Sequence, residues 1–368
     1  MFINTTEKRN ILKPLQIVIG IIEKKQTLPI LSNVLIERKS SLVKFTTTDL
    51  EIQISTILDI YYVDNENSSA TISAKKLQEI LRILPDNSSI SIELKENKAI
   101  ITSNKSRFTL QTLPTQDYPK LNNQLDKSIG VSLSQKELKN LLLSVQYAMA
   151  QQDVRYYLNG VLIILDGNKM RAVATDGHRL AFNQIDIKGA YEKQEIILPR
   201  KAVIELCKLL NEADDHIHIQ FTTQQLNAEF SGISLTTKLI DGKFPDFERV
   251  IPKYNNHLTV NRLLIQQALQ RAAILSNEKF RGVRFVLTEK KLSIKSSNSE
   301  QEEAEEEIET DYHGEAIDIG FNVNYLIDGL NNMNGIFSTL SFGDPNSSIL
   351  ISSGDNLDYR YVVMPMRI

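Results

Sequence analysis

The chain repeats itself three times, and nothing else in it restricts the fold as strongly. A common order of helical and alternating segments recurs with a period of about 126 residues, so one structural unit is used in succession. An amphipathic pattern with apolar residues three and four apart opens each third, over 5–25, 132–150 and 261–275. A second such pattern follows over 73–84, 198–210 and 322–333, the last weakened by Gly329. Between and after them stand alternating stretches such as LVKFTTTDLEIQI, KMRAVATDGHRLAF and KLSIKSSNSEQEE, which read as strands broken by polar turns. Asp49, Asp176 and Asn298 align within these stretches, and Tyr118-Pro119 matches Phe244-Pro245. Periodicity lapses near 121–130 and 252–258, where Asn, Gly and Pro cluster. The reading is three similar α+β domains over 1–125, 126–254 and 255–368, each with two helices covering the apolar face of an antiparallel sheet. Sheet edges left open would invite pairing between neighbouring domains and between subunits.

Length agrees, because 368 residues exceed one ordinary core. No apolar run approaches the roughly 18 residues of a membrane span, and the N-terminus lacks the order of a secretory signal, so a cytoplasmic protein is expected. The single cysteine, Cys207, rules out a disulfide within the chain and reads as a buried thiol. Of the histidines (His178, His216, His218, His257, His313) only His216 and His218 are close, and they alternate along a strand as surface residues. No metal or cofactor is expected.

The net charge of −3 conceals a sorting, since five of the six helical segments are net basic and the remainder of the chain is acidic. The cations are Lys8, Arg9, Lys13, Lys24, Lys25, Lys75, Lys76, Lys136, Lys139, Arg200, Lys201, Arg262 and Arg271, with almost no aromatic interleaving and no motif that reads bases. A basic helical layer of this kind fits phosphate contacts, weak singly, salt-sensitive and independent of sequence. Asp176 and His178 in ATDGHRL mimic part of a catalytic triad, but Asp-Gly is first a hairpin signal. No glycine-rich phosphate loop, metal constellation or nucleophile elbow accompanies them, so no enzyme is expected. The acidic run Glu302, Glu303, Glu305, Glu306 and Glu307 reads by itself as a solvated loop.

Several stretches carry a family resemblance over the whole chain: LKPLQ (12–16), TLPIL (27–31), QDVRYYLNG (152–160), ATDGHRLA (174–181), KFPDFERVIP (243–252), RAAILSNEKFRGVR (271–284), EQEEAEE, GFNVNYL and the terminal YVVMPMRI. In this order and spacing the sequence resembles the bacterial DNA polymerase III beta subunits, the sliding clamps. The resemblance implies three clamp domains per chain, helices inside and antiparallel sheets outside, and a head-to-tail dimeric ring around duplex DNA. Such a ring tethers the replicative polymerase and confers processivity without catalysis. It implies a partner-binding cleft built from Leu158, Thr175, Gly177, His178, Arg179, Leu180, Pro245, Arg249 and Val250, completed by Phe280, Asn322, Tyr325 and by Val362, Val363, Met364, Pro365, Met366 and Arg367. The partners implied for that cleft are the polymerase III alpha subunit, the clamp loader delta subunit, and other polymerases and repair factors, each through a short peptide.

For double-stranded DNA the resemblance singles out Lys25, Gln152, Tyr156, Tyr157, Arg200 and Lys201; plain packing is the competing reading of the two tyrosines. For the homodimer it implies Ile274 and Leu275 as an apolar centre, with Glu302, Glu303, Glu305 and Glu306 facing Lys76, Lys105 and Arg107. Ile368, Lys25 and Gln151 stand where the family more often has leucine, arginine and histidine. A DNA-independent scaffold using the same cleft is the alternative reading.

Overall fold

The structure, a computed structural model, describes residues 3–23, 28–59, 67–122, 128–354 and 358–368. Among these residues the chain forms six α-helices: α1 (Lys8–Val18), α2 (Ala74–Ile83), α3 (Gln135–Gln146), α4 (Arg200–Leu209), α5 (Arg262–Ile274) and α6 (Val323–Asn331). Each lies inside a segment marked by its apolar spacing and is shorter than that segment. The first begins late because Ile3–Glu7 is a strand paired with Ser89–Lys95.

The amphipathic logic is plainest in α2. Ala74, Leu77 and Leu81 recur at three and four and are fully buried, while Lys75, Lys76, Glu79 and Arg82 between them are exposed. Caps fix the starts of α5 and α6. The Asn261 Oδ1 accepts the Leu263 and Leu264 N–H groups, and the Asn322 Oδ1 those of Asn324 and Tyr325, so donors without intrahelical partners are satisfied.

The chain divides into two compact units, Met1–Lys136 with Ile204–Leu239, and Glu137–Val203 with Ile240–Ile368. In the first unit a twelve-stranded antiparallel sheet joins strands of the first and second thirds, at the pairing of Ile52–Asp59 with Ile233–Lys238. In the second unit, Gly160–Thr175 and Arg179–Pro199 form a long hairpin whose second strand pairs with Arg360–Val363 near the C-terminus. That six-stranded sheet continues through Ile349–Ser353 and Phe337–Phe342 to Asn256–Asn261, and a separate four-stranded sheet carries Gly282–Thr288 and Ile317–Asn322. Sheet edges thus do pair between successive thirds, which divides the second third between the two units.

Contacts repeat as well as elements. The backbone N–H of the first residue of α1, α3 and α5 donates to the carbonyl of Ser88, Asp215 and Ile336 respectively, each just beyond the end of the following helix. The three side chains reach the same place: Lys8 Nζ lies 2.5 Å from the Leu84 carbonyl, Gln135 Oε1 accepts the Asn211 N–H at 3.2 Å, and Arg262 Nη1 donates to the Leu330 carbonyl at 3.0 Å. Lys8 and Arg262 thus satisfy carbonyls left over at a helix end, and Gln135 takes the backbone N–H just past one. The aligned turns also repeat: Asp49 accepts from Glu51 and Ile52, Asp176 from His178 and Arg179, and Asn298 from Glu300 and Glu302. These Asx turns account for the alignment of three polar residues seen in the sequence.

Cys207 is buried. His216 and His218 are exposed along an alternating strand, as their spacing required. No helix among the described residues is long and apolar enough to cross a membrane, and no cluster of three or more His, Cys, Asp or Glu among them is placed to hold a metal.

Candidate functional site

The hairpin turn at 176–178 organises the site in the second unit. Gly177 has φ +89°, which an L side chain rarely adopts, and a Cβ there would meet the Arg155 guanidinium at 3.0 Å. Thr175 Oγ1 donates to the Arg179 carbonyl at 2.6 Å and accepts the Gly177 N–H, so the turn is braced from within. The Asp176 carboxylate is occupied by two backbone N–H groups and by Arg179 Nε at 3.0 Å. Those bonds leave it in a structural role, and the triad-like reading of Asp176 and His178 has no support from the geometry.

Beneath and beside the turn lies an apolar floor. Leu158, Leu180, Phe244, Phe247 and Val362 belong to one buried cluster, with Tyr157 packed against it. In the same unit several apolar groups stay in water: Val250 and Met364 are each 44% exposed and Phe280 is 55% exposed. Pro245, Arg249 and His178 are exposed around them. Exposed apolar groups of this kind suit the binding of a peptide, and flexible Met side chains adapt to different occupants.

The C-terminal segment forms one wall. Val362 pairs with Leu180 and Val363 with Arg179, after which Met364 N–H donates to the His178 carbonyl at 2.9 Å. Pro365 interrupts, and Met366 N–H then donates to the Gly320 carbonyl at 2.7 Å. The tail fits over Gly320 only because that residue has no side chain: a Cβ there would lie 2.4 Å from the Met366 carbonyl oxygen and 2.7 Å from Ile368 Cδ1.

Arg179 ties the strand, the helix and the tail together. Its Nη1 meets Asp328 of α6 at 2.6 Å, its Nη2 donates to the Tyr147 carbonyl at 2.7 Å, and the guanidinium sits 4.5 Å from the centre of the Tyr325 ring. Burial opposes its charge, but Tyr361, Asp328 and Asp176 more than offset this and push its pKa up, so it stays protonated. Tyr147 and Tyr359 share a hydroxyl–hydroxyl bond of 2.6 Å, and the Tyr361 hydroxyl donates to the Tyr325 carbonyl at 2.9 Å. Desolvation raises the pKa of all three phenols. Of this supporting layer only Arg179 and Tyr325 were legible in the sequence. Tyr147, Asp328, Tyr359 and Tyr361 carry no linear signal beyond the alternation of YRY. Asn322 joins α6 to Phe280, whose carbonyl its amide contacts at 3.4 Å.

The residues assigned to DNA divide. Gln152 is exposed at φ +56°, and Tyr156 is 57% exposed, edge-on to Tyr157 with ring centres 5.8 Å apart. Tyr157 is partly buried against the core cluster, so the packing reading holds for it. Next to them Asp153 is held to a pKa of about 2 by hydrogen bonds from the Arg155 side chain and backbone. Lys25, with Lys24, lies outside the described residues. Arg200 is half-buried and donates to the Met149 carbonyl at 3.1 Å, and Lys201 is half-buried. Lys8 and Arg262 are likewise spent on helix ends, and Arg271 is paired with Glu306 at 2.6 Å, so part of the basic layer serves the fold. Arg9, Lys13, Lys75, Lys76 and Lys136 are exposed.

On the expected dimer surfaces, Ile274 is 76% exposed and Leu275 half-buried. The acidic run proves to be a strand, Glu303–Glu309, whose Glu305, Glu306 and Glu307 already pair with Lys295, Arg271 and Lys291. Glu302 meets Asn298, and Glu303 is exposed. In the first unit Lys76, Lys105 and Arg107 are exposed, with Phe108 and Leu110 half-buried on the same strand as Arg107. Ile83, at the end of α2, is 86% exposed. None of Phe108, Leu110 and Ile83 stands out in the sequence, where an apolar residue on a strand or at a helix end looks like any core residue.

Comparison with known proteins accounts for all three repeats. Models of the N-terminal, central and C-terminal domains of the DNA polymerase III beta subunit match residues 1–122, 132–246 and 248–367. A beta sliding clamp of Pseudomonas aeruginosa is 42% identical over 371 residues, covering 99% of each chain. That of Escherichia coli K12 is 40% identical over 365 residues, again 99% of each. The crystal structure of the P. aeruginosa DNA polymerase III beta subunit bound to griselimycin superposes with a TM-score of 0.94 at 41% identity, covering 99% of both chains.

Proposed function

Because the chain belongs to the family of DNA polymerase III beta subunits, the non-catalytic sliding clamps, we propose that two copies close head to tail into a ring around duplex DNA. What carries this reading is the threefold repeat, matched end to end by the three clamp-domain models in order. The three domains are 1–125, 126–254 and 255–368, with helices toward the hole and sheets outside. Within one chain, sheet edges already pair between successive thirds, and the same device extended between chains closes the ring.

The dimer contact sets Ile274 and Leu275 of one copy against Phe108, Leu110 and Ile83 of the other. Lys76, Lys105 and Arg107 face the acidic strand with Glu302, Glu303, Glu305 and Glu306. Since Glu305 and Glu306 already have partners within their own chain, the apolar groups contribute most of the affinity and the charges give orientation. DNA is held by phosphate contacts without sequence readout, from exposed helix cations together with Gln152, Tyr156 and Lys201. The cleft formed by Leu158, Thr175, Gly177, His178, Arg179, Leu180, Pro245, Arg249 and Val250, with Phe280, Asn322, Tyr325 and the 362–367 tail, takes a short peptide. That peptide comes from the polymerase III alpha subunit, the clamp loader delta subunit, or other polymerases and repair factors in the cytoplasm.

The test is product length in primer extension on a singly primed circular template, with polymerase III core and clamp loader. Long products that require this chain support the reading. Short products unchanged by its addition would remove it.

A further inference from the structure

A second recess adjoins the cleft and is absent from the peptide contacts set out above. Its volume is about 680 Å³. Phe182 and Arg360 lie two residues along their strands from Leu180 and Val362 of the cleft floor, on the same face and therefore about 7 Å away. Leu350, paired directly with Val362, also lines the recess. On the other side the chain leaving the turn Phe247–Val250 supplies Ile251, Pro252, Lys253 and Tyr254. One apolar floor therefore runs beneath both depressions, and one turn walls them both.

The chemistry changes along that floor. Arg171, Lys253 and Arg360 line the recess, against a single lining carboxylate, Glu248. Arg171 is partly neutralised by Asp166 at 3.6 Å. Among the described residues neither Lys253 nor Arg360 is in an ion pair, and both are exposed. Arg360 is held in place over the Phe182 ring at 5.6 Å. Gln184 and His257 are occupied, the first donating to Asp358 at 2.6 Å and the second bonded to Ser341 at 2.8 Å. What remains open to a ligand is a net positive charge, Lys253 and Arg360 against Glu248, above an aromatic floor.

We propose that this recess receives a carboxylate side chain flanking the peptide in the cleft, paired with Lys253 and Arg360. The inference rests on the peptide-cleft reading and adds a preference for Asp or Glu beyond the apolar core of the peptide. Charge complementarity singles out that occupant, because an apolar flank would leave both cations unpaired and a basic flank would be repelled.

The experiment is fluorescence anisotropy with the full-length protein and a labelled clamp-binding peptide of the polymerase III alpha subunit. The peptide is used as such and with two glutamates, two glutamines or two lysines appended at either end. At low salt the glutamate form is expected to bind about three- to tenfold tighter than the glutamine form at one end, with the lysine form weaker still and the spread narrowing as salt rises. Lys253→Ala with Arg360→Gln should abolish the difference while leaving the parent peptide unaffected. Equal binding of all forms, or a glutamate gain that survives both substitutions, overturns the proposal. Failure of the parent peptide to bind would remove the cleft reading itself and this inference with it.

Discussion

Gly320→Ala should loosen the proposed peptide cleft without unfolding the protein. The added Cβ would lie 2.4 Å from the Met366 carbonyl oxygen and 2.7 Å from Ile368 Cδ1, roughly an ångström inside ordinary contact distance. Relief requires either the strand Ile317–Asn322 or the tail to move. The strand is held by a full ladder to Gly282–Thr288, whereas the tail beyond Pro365 is held by one backbone bond, and Ile368 is 69% exposed. A backbone hydrogen bond is worth about 1 kcal/mol net, and forced overpacking costs about 1–3 kcal/mol, so releasing the tail is the cheaper relaxation. Stability should then fall by no more than about 1–1.5 kcal/mol, the worth of that bond and the little apolar contact that Ile368 makes. Loss of Met366 and Arg367 from the cleft wall should weaken peptide binding by about 5- to 30-fold, corresponding to about 1–2 kcal/mol. Peptide anisotropy gives the affinity, and carboxypeptidase release of Ile368 and Arg367 reports the tail directly. Unchanged affinity together with a protected tail would refute the reasoning.

Arg179→Ala removes a guanidinium whose side chain is only 11% exposed from Asp176, Asp328 and the Tyr147 carbonyl. Because the Asp328 side chain is 41% exposed, the loss should be about 2–3 kcal/mol, below that of a fully buried pair. Calorimetry should show the second unit melting about 5–10 °C lower, and an unshifted transition would count against the network. The phenols of Tyr147, Tyr359 and Tyr361 are neutral in the fold with pKa raised by burial, so their stabilisation is present below pH 10 and is lost as pH rises through the raised values. In an alkaline spectrophotometric titration these three should ionise only with unfolding, whereas normal titration in an intact fold would contradict their burial. Ile274→Ala with Leu275→Ala would remove apolar contact at each of the two proposed interfaces, at about 1–3 kcal/mol per side chain. Sedimentation velocity should show mostly monomer, and an unaltered dimer would refute the interface.

The repeat was legible because apolar spacing marks helices locally and because Asp49, Asp176 and Asn298 each serve a turn within a few residues. Strand pairing between successive thirds was expected only in kind. Its register, such as Thr56 opposite Ile233, depends on residues far apart in the chain. The basic layer was over-read for the same reason. Lys8 looks like a surface cation in its own heptad, but the helix end it serves at Leu84 lies 76 residues away. Lys8, Gln135 and Arg262 differ in chemistry, and only the structure shows that they do one job. In the cleft, the residues within ATDGHRLA and YVVMPMRI were recognisable, but Gly320 and the tyrosine layer were not, since their importance lies in what packs on them.

Encirclement is the central claim, and retention after loading tests it most directly. The protein is loaded with the clamp loader and ATP onto nicked circular DNA, half of which is then linearised, and both samples are passed over a sizing column at high salt. A ring stays with the circles and runs off the linear ends, because high salt removes phosphate contacts and leaves topology intact. Equal loss from both forms would contradict the ring and favour a peptide-binding scaffold that does not enclose DNA.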